Sequence, residues 1–206
     1  MRIAVTGSDS AELARRLEAL GHDVEICPLV EIEPVGPDEI DVSRYDWVVV
    51  TSRNGARELV RRMRGAPGRI AAIGPGTAED LPRVDLVPQV STQEGLLAEL
   101  PHPAGRVLFA GAEGARRLLR DELGADFVPL YRTKELRPDA FPDVDLVVLA
   151  SASAARAYAA LEAAAPAVSI GPQTTAAATG VEIVAEAESH DLDGLVEAVR
   201  RIVPAS

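Results

Sequence analysis

Six short polar segments carry most of the chemistry this chain can offer: Thr6-Gly7-Ser8, Thr51-Ser52-Arg53-Asn54, Gly74-Pro75-Gly76-Thr77, Gly111-Ala112-Glu113-Gly114, Ser151-Ala152-Ser153 and Gly171-Pro172-Gln173-Thr174. Each follows a β-rich apolar run and precedes a helical pattern. So placed, each would set free backbone N–H groups and the positive end of a helix dipole at the carboxyl edge of a parallel sheet, where anions bind. The candidate donors are the hydroxyls of Ser52, Thr77, Ser151, Ser153 and Thr174, the backbone at Gly74, Gly76 and Gly171, and the side chains of Arg53 and Asn54. The competing reading of any one turn is plain capping, because Ser, Thr, Asn and Gly are preferred at helix N-caps with or without a ligand. Taken singly, each turn reads first as a cap; six of them in two duplicated sets favour a shared anion-binding cleft.

Other chemistries lack their residues. "GPGTAED" supplies G-x-G but places Glu79 where a dinucleotide fingerprint needs its third glycine, and neither a G-K-[ST] loop nor a G-x-S-x-G elbow follows any strand. The single Cys27 excludes an internal disulfide and a thiolate cluster, and reads as a buried strand residue with no chemistry assigned. His22, His102 and His190 fall in apparent turns without metal-ligand spacing. A net charge of −11 argues against nucleic acid, and the basic run Arg61, Arg62, Arg64 reads as the solvated side of a helix. Backbone N–H donors need no lysine or arginine, so an acidic protein can still hold carboxylates or phosphates. Neither a signal peptide nor a membrane-spanning run is legible, which makes a cytoplasmic location the expectation.

The elements that must position these turns alternate between short β-rich runs and helical stretches, the pattern of α/β folds with mostly parallel sheets. Strands are expected at "RIAVTG" and "HDVEICP", then at Trp47–Thr51, Ile70–Ile73, Asp85–Val87, Val107–Ala110, Phe127–Val128, Asp145–Leu149, Val168–Ile170 and Val181–Val184. The chain also repeats itself. "VVVTSRNGAREL" from Val48 returns as "VVLASASAARAY" from Val147, "IGPGTAEDL" from Ile73 as "IGPQTTAAA" from Ile170, and "EGLLAEL" from Glu94 as "DGLVEAV" from Asp193. A second family of matches joins "RIAVTG" to "RVLFAG" and the "CPLVEIEP" region to "VPLYRTKE". The order is therefore A, B, A′, B′, with two strands in each A and three in each B. Two five-stranded domains can be assembled from this, either as consecutive halves or crossed. Glu31 and Glu33 in one extended segment, against Arg132 and Lys134 in the other, suit an antiparallel tie and lean toward the crossed arrangement.

The ordered set "VVVTSRNGA", "AAIGPGTA", "FVPLYRTKE", "VVLASASAA" and "SIGPQTTAAA", closed by "DGLVEAV", resembles the uroporphyrinogen-III synthase family over nearly the whole chain. One departure is Ala150, where an aromatic residue often precedes the second serine. The resemblance implies two flavodoxin-like parallel-sheet domains of five strands each, a discontinuous one from 1–29 with 139–206 and another from 38–128. Linkers 30–37 and 129–138 would form a two-stranded ladder beside a flexible cleft. It implies an enzyme, a carbon–oxygen lyase working as a monomer without metal or organic cofactor, on the small molecule hydroxymethylbilane. Tyr131 matches the family's linker tyrosine, a phenol able to donate to a departing hydroxyl or, on the blander reading, an interlobe packing aromatic. Ser52, Thr77, Ser151 and Thr174 match cleft-facing polar positions, with Arg53 and Asn54 ranking behind them. A different class remains open at this point: a non-enzymatic bilobal sensor that closes on an anionic metabolite.

Overall fold

The valine-rich runs become strands buried on both faces, and the polar turns after them start helices. The computed structural model describes residues 1–8, 10–161 and 163–202. It begins with β1 (Arg2–Val5), α1 (Ala11–Glu18), β2 (Asp23–Ile26), β3 (Val30–Pro34) and β4 (Ile40–Asp41). Next come β5 (Trp47–Val50), α2 (Arg53–Arg62), β6 (Met63–Arg64), β7 (Arg69–Ala72), α3 (Pro75–Ala78), α4 (Gln93–Glu99), β8 (Val107–Ala112), α5 (Leu118–Leu123) and β9 (Asp126–Glu135). The chain closes with β10 (Leu146–Leu149), α6 (Ala152–Ala159), β11 (Ala167–Ser169), α7 (Pro172–Ala177), β12 (Ile183–Glu186) and α8 (Leu192–Ile202).

Contacts divide the chain into two units, one made of Met1–Glu31 with the stretch from Thr133 onward, the other of Ile32–Arg132. The first unit holds a parallel sheet in the order β12-β11-β10-β1-β2. Alternate residues of β1 and β10 feed opposite faces: Ile3, Val5, Leu146 and Val148 pack under α1 and α8, while Ala4, Val147 and Leu149 pack with Leu29 and Tyr158. Burial on both faces is what an all-parallel sheet requires, and it explains why these strands read as unbroken apolar runs. In the second unit the order is β3-β9-β8-β5-β7, with β9, β8, β5 and β7 parallel to one another. Here Val48, Val50, Ile70 and Leu108 face α2, and Trp47, Val49, Ala71 and Phe109 face Leu96 of α4 and Leu119 of α5.

β3 and β9 run antiparallel, since partner numbers fall along one as they rise along the other. Val35 N–H donates to Leu130 at 3.0 Å and Leu136 N–H to Leu29 at 2.8 Å, while Arg132 meets Glu33 at 2.7 Å and Lys134 approaches Glu31 at 3.7 Å. These exposed ion pairs add little stability; the backbone ladder does the holding.

Several expectations need correction. Asp85–Val87 is no strand: only Leu86 bridges to Ala71, because Pro82 and Pro88 bracket the run and Pro88 has no N–H to extend a ladder. Phe127–Val128 is a fragment of the ten-residue β9, which lengthens because β3 supplies it a second partner. Cys27 lies one residue past β2 and is half-buried rather than buried, its thiol pushed up to about 11 by burial and by the nearby Glu25 carboxylate. Arg62 is not on a solvated face; it is 2% exposed, for reasons given below. Residues 203–206, expected to complete the first domain, lie outside the described residues, as do Asp9 and Glu162. Among the described residues no helix is long and apolar enough to cross a membrane.

Candidate functional site

The duplicated turns fold alike in each unit. Ser52 caps α2 from an extended conformation (φ −165°, ψ 154°) and its Oγ accepts the N–H of Gly55 at 3.0 Å. Ser151 caps α6 in the same way (φ −163°, ψ 155°), accepting the N–H of Ala154 at 3.2 Å. Gly74 and Gly171 cap α3 and α7, each followed by proline in the first turn. Thr77 and Thr174 then occupy the third helical position, 6% and 4% exposed. Their own N–H groups are occupied by the carbonyls of Gly74 (3.1 Å) and Gly171 (2.9 Å). With proline lacking an N–H, the backbone donors these two turns offer are those of Gly74 and Gly76 in one and of Gly171 and Gln173 in the other. In the sequence Gln173 stands out only as part of its turn, and Pro172 before it is the signal for its free N–H.

Six of the candidates, Ser52, Arg53, Asn54, Gly74, Gly76 and Thr77, lie in the second unit together with Tyr131; Ser151, Ser153, Gly171 and Thr174 lie in the first. Arg53 passes over Gly76, its Cδ 3.9 Å from where a Cβ there would stand. Its guanidinium is engaged, donating to Asp80 at 2.9 Å and lying 3.5 Å from Glu79, while Arg57 shares Asp80 at 3.2 Å. Burial works to raise the Asp80 carboxyl, but the two guanidiniums outweigh it and hold the group below its usual range. Arg53 therefore braces the start of α2 against the end of α3, its guanidinium engaged by Asp80 and Glu79. Asn54 is half-buried on the first turn of α2.

Tyr131 is where the two repeats part company. Its counterpart in the repeated segment is Val30, so only the second unit carries a phenol at this place. The ring is 7% exposed, and its hydroxyl lies 2.9 Å from Ser52 Oγ. Ser151 in the first unit turns instead to Ser153, 3.1 Å away. Burial pushes the Tyr131 phenol above its ordinary value of 10, the Ser52 hydrogen bond drawing it only part of the way back. At neutral pH the group is thus a protonated donor already oriented by a hydroxyl. The backbone at Tyr131 is irregular: the β8–β9 register shifts between Gly111 and Ala112, and Tyr131 C=O accepts the N–H of Glu113 at 2.8 Å. Such a bulge re-aims a side chain beside a ladder.

Residues 11–197 match the sequence profile of the family described as Uroporphyrinogen-III synthase HemD. The chain belongs to the uroporphyrinogen-III synthase family. A curated relative from Archaeoglobus fulgidus, provisionally named a uroporphyrinogen-III synthase, is 32% identical over 134 residues, covering 62% of this chain and 57% of its own length. A crystal structure of a mutant uroporphyrinogen III synthase from the extremely thermophilic bacterium Thermus thermophilus covers 100% of both chains with a TM-score of 0.62 at 19% identity, a likeness that shows the fold, α/β with parallel sheets. The family match runs through both serine turns, both glycine–proline turns and Tyr131.

The two capping serines are expected to differ on substitution. Ser151→Ala removes one cap, worth about 1 kcal/mol. Ser52→Ala removes a cap and also strands a buried phenol, so its cost is expected to reach about 2–3 kcal/mol. Urea unfolding of both variants checks the ordering, and equal losses would show that the Ser52–Tyr131 contact stabilises nothing.

Proposed function

We propose that this chain is a uroporphyrinogen-III synthase, cyclising hydroxymethylbilane to uroporphyrinogen III with loss of water and inversion of the last pyrrole ring. The observation that carries the reading is the family match over 11–197, which takes in both copies of the serine turn and the tyrosine between them. The chemistry asks little of conventional machinery. The terminal hydroxyl takes up a proton and leaves as water, and the resulting azafulvene is attacked by the substituted carbon of the last ring to form a spiro centre. One carbon–carbon bond of that centre breaks, the alternative bond forms, and a proton is lost from the closing ring, balancing the one taken up. The bilane closes unaided to the uninverted isomer, so the protein's task is to fold it and favour one closure.

In this reading the Tyr131 phenol donates to the departing hydroxyl, with Ser52 orienting it. Free N–H groups at the starts of α2 and α6, the N–H groups of Gly76 and Gln173, and the hydroxyls of Thr77, Ser151, Ser153 and Thr174 receive acetate and propionate carboxylates. No residue in that set titrates near neutrality, so carboxylate binding does not depend on a side-chain charge. We read the two units as flavodoxin-like domains linked near residues 30–37 and 129–138, in a cytoplasmic monomer that needs no metal or organic cofactor.

Incubation with enzymatically generated hydroxymethylbilane, oxidation, and chromatographic separation of the uroporphyrin isomers tests the proposal. Type III is expected to dominate over the spontaneous type I. A type I product at the uncatalysed rate would sink it.

A further inference from the structure

Arg62 carries a charge in a place that is almost dry, with 3% of its side chain exposed. A guanidinium can be buried only if its N–H groups find acceptors, and here they are backbone carbonyls beyond β3 and on β9 together with a carboxylate of its own helix. Nη1 donates to the carbonyl of Val35, just beyond β3, with the Pro37 carbonyl 3.5 Å away. Nη2 donates to the carbonyl of Leu130 at 2.6 Å. Nε and Nη2 hold the carboxylate of Glu58, one turn earlier on α2. Leu130 C=O also accepts the Val35 N–H at 3.0 Å, so both of its lone pairs are used.

Leu130 precedes Tyr131, and the Tyr131 hydroxyl meets Ser52 at the N-cap of the helix that ends in Arg62. One helix thus grips two consecutive residues of β9, the first by its carbonyl and the second by its phenol. A ten-residue helix is about 15 Å long, so the grips act from opposite ends of a stiff rod. They act where the regular pairing of β9 changes on both sides. On one side the β8–β9 register shifts next to Tyr131. On the other, β3 ends at Pro34 and the chain turns away at Gly36, where a φ of +80° and a Pro129 carbonyl oxygen that a Cβ would overlap suit glycine alone.

We propose that Arg62 is a positioning residue for Tyr131, holding the backbone so that the phenol stays on Ser52 and points its proton at substrate. The inference rests on the reading of Tyr131 as the proton donor. Lysine cannot substitute, because a single ammonium lacks the planar fork that reaches Leu130, Val35 and Glu58 together.

The test combines kinetics with a signal that needs no turnover. Arg62→Lys is expected to lower kcat about tenfold with KM changed less than about twofold. In a Tyr131→Phe background the same substitution is expected to change kcat by less than about twofold, because the group it positions is gone. The protein has three tyrosines. With tyrosine labelled by carbon-13 at the ζ position, the Tyr131 resonance is the one missing from Tyr131→Phe, and it is expected to move toward the free-tyrosine position in Arg62→Lys while the other two stay. Should Arg62→Lys fail to fold, Arg62→Met with Glu58→Gln removes both charges together, leaves neither stranded, and is expected to give the same kinetic and spectral changes. Equal effects with and without the Tyr131 hydroxyl, or an unmoved Tyr131 resonance in a folded variant, overturn the proposal. Loss of type III product from the unsubstituted chain overturns the functional reading instead, and the resonance still decides where Arg62 holds Tyr131.

Discussion

Tyr131→Phe is expected to lower kcat by about 10²-fold while the product remains mainly type III. The ring is almost wholly buried and the substitution removes a single oxygen, so packing against the core of the second unit survives. What disappears is the proposed proton donor, which is also the partner of Ser52 Oγ. Because the proposed carboxylate-binding donors are retained in this variant, KM is expected to change little, which would mark an interaction made in the transition state rather than with bound substrate. Isomer choice depends on how the bilane is folded, so it is expected to outlast the loss of rate. The pH profile supplies a second check. Burial holds the phenol above its ordinary value of 10, and in the proposed role the protonated form is the active one, so the unsubstituted chain is expected to keep its rate from about pH 7 through 9 with no loss assignable to tyrosine. Single-turnover rates over that range, paired with isomer analysis, test both halves; a shift to type I in Tyr131→Phe would mean that the phenol steers ring closure rather than the departure of water.

Gly194→Ala is expected to cost about 3 kcal/mol, well above loss of the Ser151 cap. Gly194 sits in the first turn of α8, where its N–H donates to Asp191 Oδ1 at 2.8 Å and a Cβ would overlap the carbonyl oxygen and the side chain of Ser189. That backbone oxygen cannot swing aside as a flexible side chain could. Relief requires lifting α8, whose Leu195, Val196, Ala198 and Val199 form much of the core over β1 and β10. The repeat counterpart Gly95 is placed alike, with its N–H on Thr92 Oγ1 at 3.0 Å and a Cβ overlapping the Val90 carbonyl. Urea unfolding followed by far-UV circular dichroism reads Gly194→Ala, and the fluorescence of Trp47 in the second unit reads Gly95→Ala. A loss below about 0.5 kcal/mol in Gly194→Ala would show that the loop gives way at no cost.

Much of the framework follows from local pattern. Runs such as Trp47–Val50 and Leu146–Leu149 are apolar on both faces, so they can sit only inside a helix-covered parallel sheet. Serine before "RNGA" and before "ASAA", and glycine–proline before each threonine, are capping signals that need no tertiary information, and all four open helices. Pattern failed where partners decide. Asp85–Val87 has strand residues but proline on both sides, and Phe127–Val128 marks only part of β9, although the antiparallel tie of β9 to β3 was legible in the opposed charges of Glu31, Glu33, Arg132 and Lys134. Arg62 looked like one more surface charge, since nothing nearby in sequence foretells that carbonyls 27 and 68 residues away would surround it. The same holds for the pair that matters most to the proposed chemistry. A tyrosine and a serine could be named from their repeats and motifs, yet they are 79 residues apart, and their 2.9 Å contact exists because β9 and α2 are packed in one unit. Caps and strand cores depend on neighbours within a few residues, which a linear reading sees; a hydrogen bond between distant segments depends on how finished elements pack, and only the folded chain sets that.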